Sequence, residues 1–400
     1  MTVEKLFPRT LIVSDAPMTP QQGTGVCLLK HFEPYLEDRV YSVYMDDPGG
    51  SSTIRHSSKF ELVEPLAKLW RLLRPINPSL RANVRFKLLD SQWRQQARAI
   101  LNEFKPEFIY IVPYTESALY LAQVIRELVP GIPYGLHLFD WMPRTSEKVA
   151  RSLLATLSED ASFRWALGSN LADGASAWTG ANYKVVPIFY GNPAQELAHE
   201  AWHRQSTFNA CILGNVWSKP ALIQVLETWR ILKTQNSDLG PIEWIASEWT
   251  IRMGWREFLS DPKYKDLIKH VGFIPDSDFH ARLMTYQLSF IPFSMPSEST
   301  RPYAKFSIPS KISELSCLGI PFFSVASEGS GLERFMAETG IGFVAPVDVS
   351  EFAKEVGDLM HDKTRLRECS DELLQYAKAN FQMEDYQNFL WETLAEASIC

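Results

Sequence analysis

The sequence predicts an α/β protein built as two domains, and three observations carry that reading. The chain has 400 residues, more than one ordinary domain holds and enough for two, each with an interior of its own. Short runs rich in sheet formers alternate with helical stretches, the rhythm of strand–helix–strand units around a parallel sheet. That rhythm lapses around residues 195–209, within the polar stretch AQELAHEAWHRQSTFNA, and then restarts, which marks a junction.

Apolar residues make up 46% of the chain and charged residues 22%, the balance of an ordinary globular protein. A formal net charge of −7 argues against a general nucleic-acid binder, since phosphate neutralisation needs a dominant basic surface. No apolar run approaches the roughly 20 residues of a membrane-spanning helix, and MTVEKLFPRT lacks the apolar core of a signal peptide. A cytoplasmic protein is expected. The five cysteines, Cys27, Cys211, Cys317, Cys369 and Cys400, are scattered without metal-ligand spacing and read as reduced thiols, mostly core filler.

In chain order, Thr10–Ser14 (TLIVS) reads as the first strand, followed by a turn containing Gly23-Thr24-Gly25, a helix over 26–36 and a strand at Val40–Met45. Phe108–Val112 (FIYIV), a helix over Glu116–Leu128 and a strand at 133–139 continue the pattern, each strand apolar enough to be buried on both faces. Between them, 64–104 carries Lys68, Arg71, Arg74, Arg81, Arg85, Lys87, Arg94 and Arg98 against only Glu64, Asp90 and Glu103. Leu66, Leu69, Trp70 and Leu73 fall near helical spacing beside those bases. Such a helix suits an anionic membrane surface and equally a solvated face over the protein's own core.

The second domain opens with a strand at 210–214 and a helix begun by Ser218 and Pro220, whose Leu222, Val225, Leu226, Trp229 and Leu232 form one apolar stripe. Strands follow at 242–246, 288–293, 321–325 and 342–345, and helical pattern runs from 349 to 399. Two Rossmann-like domains facing a central cleft are the expected fold, with ligands at the cleft. The expected boundaries are 1–195, 196–378 and a C-terminal helix over 379–400 packing back on the first domain.

The segment 307–325, SIPSKISELSCLGIPFFSV, reads as a cap, a short helix, a glycine stop and a strand, with Ser310 at the start and Pro309 in the first turn. Lys311 then sits where the helix dipole disfavours a cation, a conflict that an anionic ligand resolves. Helix-start amides plus a lysine make a phosphate site, and Glu314 one turn on can accept from ribose hydroxyls. The plainer reading is a Lys311–Glu314 ion pair worth about 0.2–0.5 kcal/mol on a solvated face.

This segment resembles the nucleotide-binding helix of GT-B glycosyltransferases of the group 1 type (glycosyltransferase family 4): a Lys, a Glu three residues on, then Gly, Pro and a strand. The stretch 270–293, HVGFIPDSDFHARLMTYQLSFIPF, is similar to the part in which such enzymes hold the base by main chain, here Gly272, Phe273 and Ile274. The resemblance covers most of the chain in outline and its specific motifs about a quarter. It departs at Phe306, where many retaining members carry a first Glu eight positions before the ribose Glu. Either another acid such as Glu298 approaches the donor, or the chain belongs with inverting or divergent members.

The resemblance implies a UDP- or GDP-sugar donor as substrate, no further cofactor and a saccharide or lipid-linked acceptor. Lys311, Glu314, Ser310, Pro309, Gly272, Phe273, Ile274, Gly214 and Asn215 would meet the donor. Gly23, Thr24, Gly25, Tyr190 and Glu298 would border the acceptor or cleft. Gly23-Thr24-Gly25 and Gly214-Asn215 are equally served by simple turns.

Asp140, past the 133–139 strand, is the first candidate for the base that an inverting transfer needs, and His137 the second. Asp140 can equally cap its own loop. No DxD, HExxH or Cys/His cluster argues for a metal, since a lysine and helix amides can neutralise the leaving diphosphate.

The function expected is glycosyl transfer, possible membrane contact being limited to 64–104 at the inner face. The alternative is a catalytically decayed nucleotide-sugar-binding or partner-binding protein. An NAD-dependent dehydrogenase is disfavoured because no GxGxxG follows the first strand.

Overall fold

The structure is a computed structural model describing residues 7–20, 23–45, 52–60, 77–141, 146–187, 191, 208–252, 254–272, 274 and 276–399. The chain divides into two compact units, one made of Met1–Ile188 with Met383–Cys400 and the other of Phe189–Gln382.

In the first unit β1 (Thr10–Ser14), β2 (Val40–Met45), β3 (Ser57–Phe60), β4 (Phe108–Val112), β5 (Tyr134–Leu138), β6 (Phe163–Ala166) and β7 (Lys184–Val185) form a parallel sheet in the order β3-β2-β1-β4-β5-β6-β7. Strands β1, β2, β4 and β5 are buried at every residue, as continuous apolar runs in a sheet covered on both faces should be. The helices are α1 (Gly23–Phe32), α2 (Pro78–Phe104), α3 (Glu116–Leu128), α4 (Glu147–Glu159), α5 (Ser169–Thr179) and the C-terminal helix Met383–Ala397.

Side-chain caps set several of these helix starts. Thr115 accepts from the amides of Ser117 and Ala118 at α3, and Ser146 from Val149 at α4. Asn77 caps α2, with Pro78 in its first turn.

One expectation changes here. Gly23-Thr24-Gly25 is not a loop but the first turn of α1. A Cβ on Gly25 would lie 2.3 Å from the Pro17 carbonyl oxygen, so the glycine admits close packing of the preceding loop onto the helix.

The described part of the basic segment, α2, covers the unit's own core. Phe86, Leu89, Trp93 and Ile100 are buried, and Phe86 stacks on Tyr120 of α3 at 4.3 Å. Arg94 is engaged by Asp90 and Glu127. Leu66, Leu69, Trp70 and Leu73 lie outside the described residues. Among the described residues no helix is long and apolar enough to cross a membrane.

In the second unit β8 (Ala210–Leu213), β9 (Ile242–Ile245), β10 (Ile268–His270), β11 (Leu288–Pro292), β12 (Phe322–Val325) and β13 (Phe343–Val344) form a second parallel sheet in the order β10-β9-β8-β11-β12-β13. Its helices are α6 (Lys219–Gln235), α7 (Glu248–Arg252), α8 (Arg256–Ser260), α9 (Asp276–Leu283), α10 (Pro302–Phe306), α11 (Lys311–Cys317), α12 (Gly331–Thr339), α13 (Val349–His361) and α14 (Lys363–Asn380). Trp229, Trp244, Phe290 and Phe352 centre one continuous core.

In each sheet the chain reverses its direction of travel beside the strand it laid down first, at β1/β4 and at β8/β11. Open parallel sheets bind ligands beyond the strand C-termini at such a reversal, where adjacent loops diverge.

Candidate functional site

At the β8/β11 reversal the chain leaves β8 through Gly214-Asn215-Val216-Trp217 and enters α6 at a capping Ser218. Gly214 has φ +71°, the left-handed region that glycine enters at little cost. Its amide donates to the Ile245 carbonyl at 2.7 Å, and its carbonyl accepts from Trp244 Nε1 at 2.8 Å. Asn215 Oδ1 accepts from Thr250 Oγ1 at 2.6 Å. The loop is thus fixed on both sides by β9 and α7.

Onto this loop comes Lys311 from the start of α11, its Nζ donating to the Asn215 carbonyl at 2.8 Å. A Cβ on Gly214 would lie 3.5 Å from that Nζ, an ordinary contact distance, so the ammonium packs directly against the glycine. Burial draws the Lys311 pKa down to about 8, with Glu314 pulling the other way. A cation already stripped of much of its water and held by one neutral carbonyl is a favourable counter-charge for a phosphate. The plain surface ion pair is not what forms: Glu314, half-buried, accepts from Ser313 Oγ at 3.2 Å while the lysine reaches the β8 loop.

Helix α11 differs from expectation at its start. It begins at Lys311, with Ser310 at the N-cap in helical geometry and making no side-chain cap, so Pro309 stands before the helix rather than in it. The Ile312 and Ser313 amides turn back onto the Pro309 and Ser310 carbonyls at 3.3 and 3.1 Å. Of the two features expected to attract an anion here, the lysine is in place and the Ile312 and Ser313 amides are already taken up. At the other end Gly319, φ +64°, stops the helix.

Gly272 follows β10 with φ +90° and open space around its Cα. Ile274 is half-buried, and Phe273 lies outside the described residues, as does Tyr190.

Glu298 is corrected outright. It is 3% exposed, and its carboxylate accepts from Ser218 Oγ, from the Met295 amide at 3.1 Å and from Arg301 Nη1 at 2.8 Å. Fully engaged in pinning the loop after β11 to the start of α6, it is not available to a donor sugar. Phe306 is buried at the end of α10.

In the first unit, the β1/β4 reversal gathers a second polar group. Asp15, just past β1, accepts from the amides of Tyr114 and Thr115 at 2.5 and 2.9 Å and from the Thr115 hydroxyl. Thr24 Oγ1 and the Tyr114 hydroxyl share a hydrogen bond of 2.7 Å. Glu116 is buried beside Arg85, and burial raises its pKa. Sequence reasoning missed Asp15 and Tyr114, although the first directly follows β1 and the second comes two residues after β4.

Asp140 lies just past β5, half-buried, its Oδ1 accepting from the Trp141 amide at 2.7 Å. His137 is enclosed inside the sheet. Its Nδ1 is 2.5 Å from the Tyr110 hydroxyl and its Nε2 is 3.0 Å from the Val186 carbonyl. Burial lowers its pKa to about 3. With no exposed surface and both ring nitrogens taken up, it is a structural histidine rather than a base open to substrate, because its position in β5 points it inward.

Cys211 and Cys317 are buried, and Cys27 and Cys369 partly so, all four as free thiols. Among the described residues no group of three or more His, Cys, Asp or Glu is placed to hold a metal ion.

No protein-family model matches the sequence, and no curated protein matches it. Solved structures do. The HepE protein of Anabaena, in complex with UDP and glucose, is 16% identical, with a TM-score of 0.63 over 97% of this chain and 99% of that one. The UDP-forming α,α-trehalose-phosphate synthase of Burkholderia vietnamiensis is 12% identical, with a TM-score of 0.66 over 98% and 99%. A trehalose-6-phosphate protein of Escherichia coli bound with UDP-2-fluoro glucose is 13% identical, with a TM-score of 0.65 over 97% and 99%. The fold of this chain is the α/β GT-B fold.

Proposed function

We propose that the protein is a glycosyltransferase that takes a sugar from a nucleoside-diphosphate sugar, a UDP- or GDP-sugar, and transfers it to a hydroxyl of a saccharide or lipid-linked acceptor. The observation that carries this reading is the Lys311 ammonium, held against Gly214 on the Asn215 carbonyl at the C-terminal edge of a parallel sheet. The fold shared with structures that hold UDP or a UDP-sugar supports it.

In this reading Lys311 meets the diphosphate and stabilises the charge that grows on it as the sugar leaves. Glu314 accepts from ribose hydroxyls, and the main chain at Gly272 to Ile274 meets the base. Asp140 of the first unit takes the acceptor proton, and Thr24 belongs to the acceptor side. The outer face of α2, where Leu80 and Leu88 are exposed near Lys87 and Arg98, is proposed to reach an anionic membrane surface at the cytoplasmic face.

The experiment is a thermal-shift panel of UDP, GDP, ADP, CMP and NAD on wild type and Lys311→Ala. A ligand that binds only the native state stabilises it by about 2.7 kcal/mol at a hundred times its Kd. One nucleoside diphosphate should raise the melting temperature of wild type and not of the variant. No shift with any of the five would overturn the reading.

A further inference from the structure

Trp217 is 52% exposed and is the only aromatic residue among the exposed large hydrophobic side chains of the described residues. It stands two residues beyond Asn215, within about 7 Å along the chain of the carbonyl that holds Lys311. An exposed indole is costly in apolar surface left to water, and here both chain neighbours are anchored in the interior. Val216 on one side is buried, and Ser218 on the other is fully enclosed, with its hydroxyl donating to Glu298 and accepting from the Ala221 amide.

Behind it lies a second ring. Tyr303 of α10 stacks on Trp217 with centroids 6.3 Å apart and planes at 29°, and rests edge-on against the buried Phe293 at 5.9 Å. The loop after β8, which carries both Trp217 and the carbonyl that holds Lys311, is therefore joined to α10 by a backed aromatic pair.

The strand order says which part of a ligand would meet that pair. Gly272 follows β10, two strands from β8 on one side, and Tyr303 follows β11, the neighbour of β8 on the other. Strands lie about 4.8 Å apart. A nucleotide sugar with its base toward Gly272 and its diphosphate at Lys311 carries its sugar toward Tyr303 and Trp217. A pyranose presents a face of C–H groups that packs on an indole, while its hydroxyls stay at the rim in water.

We propose that Trp217, backed by Tyr303, is the platform on which the donor's sugar ring stacks, so that the chain selects a hexose with one apolar face. The proposal rests on the donor-binding reading given above for this unit.

The test is calorimetric titration of wild type, Trp217→Ala and Trp217→Phe with UDP against UDP-glucose, and with GDP against GDP-mannose. Being exposed, position 217 tolerates both changes without loss of the fold. Trp217→Ala should leave affinity for the free nucleoside diphosphate within twofold and weaken the sugar nucleotide about tenfold, and Trp217→Phe should restore most of that loss. Equal weakening of both ligands would make Trp217 a base or phosphate contact and overturn the proposal, as would no change in either. Lys311→Ala, titrated with UDP and GDP alone, separates the two levels: if it binds them as wild type does, the donor-site reading itself fails.

Discussion

The Lys311 ammonium donates to the Asn215 carbonyl at 2.8 Å across a separation of 96 residues. This contact ties the start of α11 to the loop after β8. It also packs the cation against Gly214.

That cation should titrate within reach of experiment. Its pKa of about 8 lies below the usual 10.5, so its contribution to folding stability is present in full above about pH 10.5 and is lost as the pH falls through about 8. Binding a diphosphate favours the charged form. Nucleoside-diphosphate affinity should therefore be steady below pH 8 and fall up to about tenfold per pH unit above it, with proton uptake visible in buffers of different ionisation enthalpy. Lys311→Arg should bind without that dependence.

Gly214 separates backbone strain from crowding. Gly214→Ala should cost about 1 kcal/mol for a side chain in the left-handed region and keep nucleotide binding, because its Cβ would stand at an ordinary 3.5 Å from Nζ. Gly214→Val adds branches that compete with the ammonium. It should lose binding as well as stability, read by chemical denaturation and titration together.

His137 predicts an acid limb. With a folded-state pKa of about 3 against a usual 6.5, its contribution to stability is present above pH 6.5 and is lost as the pH falls toward 3. Between pH 6.5 and 4.5 that amounts to about 2–3 kcal/mol. A His137→Phe variant should show a flatter dependence of its urea midpoint over that interval, whatever its stability at neutral pH.

Asp140→Asn tests the proposed base. Sugar transfer to an acceptor should drop by about 10²–10⁴-fold, while nucleoside-diphosphate binding stays as in wild type. Parallel loss of both would assign Asp140 to the fold instead.

The sheets were legible because buried parallel strands are written as unbroken apolar runs: Thr10–Ser14, Val40–Met45 and Phe108–Val112 fall where the pattern puts them. Strands β3 and β10, SSKF and IKH, were not, since short strands at sheet edges carry polar residues and no period. Lys311 stood out through a motif with a mechanism, and the structure sets its ammonium on the Asn215 carbonyl. Glu298 misled because a carboxylate near a site looks alike in sequence whether it faces a ligand or accepts three internal hydrogen bonds. Trp217 was invisible as a surface residue because its neighbours Val216 and Ser218 decide which way it points, and their burial depends on loops distant in sequence.

The C-terminal helix Met383–Ala397 lies against α1: Gln387 Nε2 donates to the Lys30 carbonyl at 2.6 Å, and Tyr386 meets His31 at 4.4 Å between ring centroids. Phe389 stacks on Trp165 of β6 at 5.1 Å. The unit begun first on the ribosome is therefore completed last. Phe189–Gln382 is continuous in the chain and can finish folding while its predecessor still lacks one wall. A nascent chain halted before Met383 would carry a finished second unit and an open first unit with bared aromatic surface at α1 and β6, which is where quality-control factors would be expected to bind it.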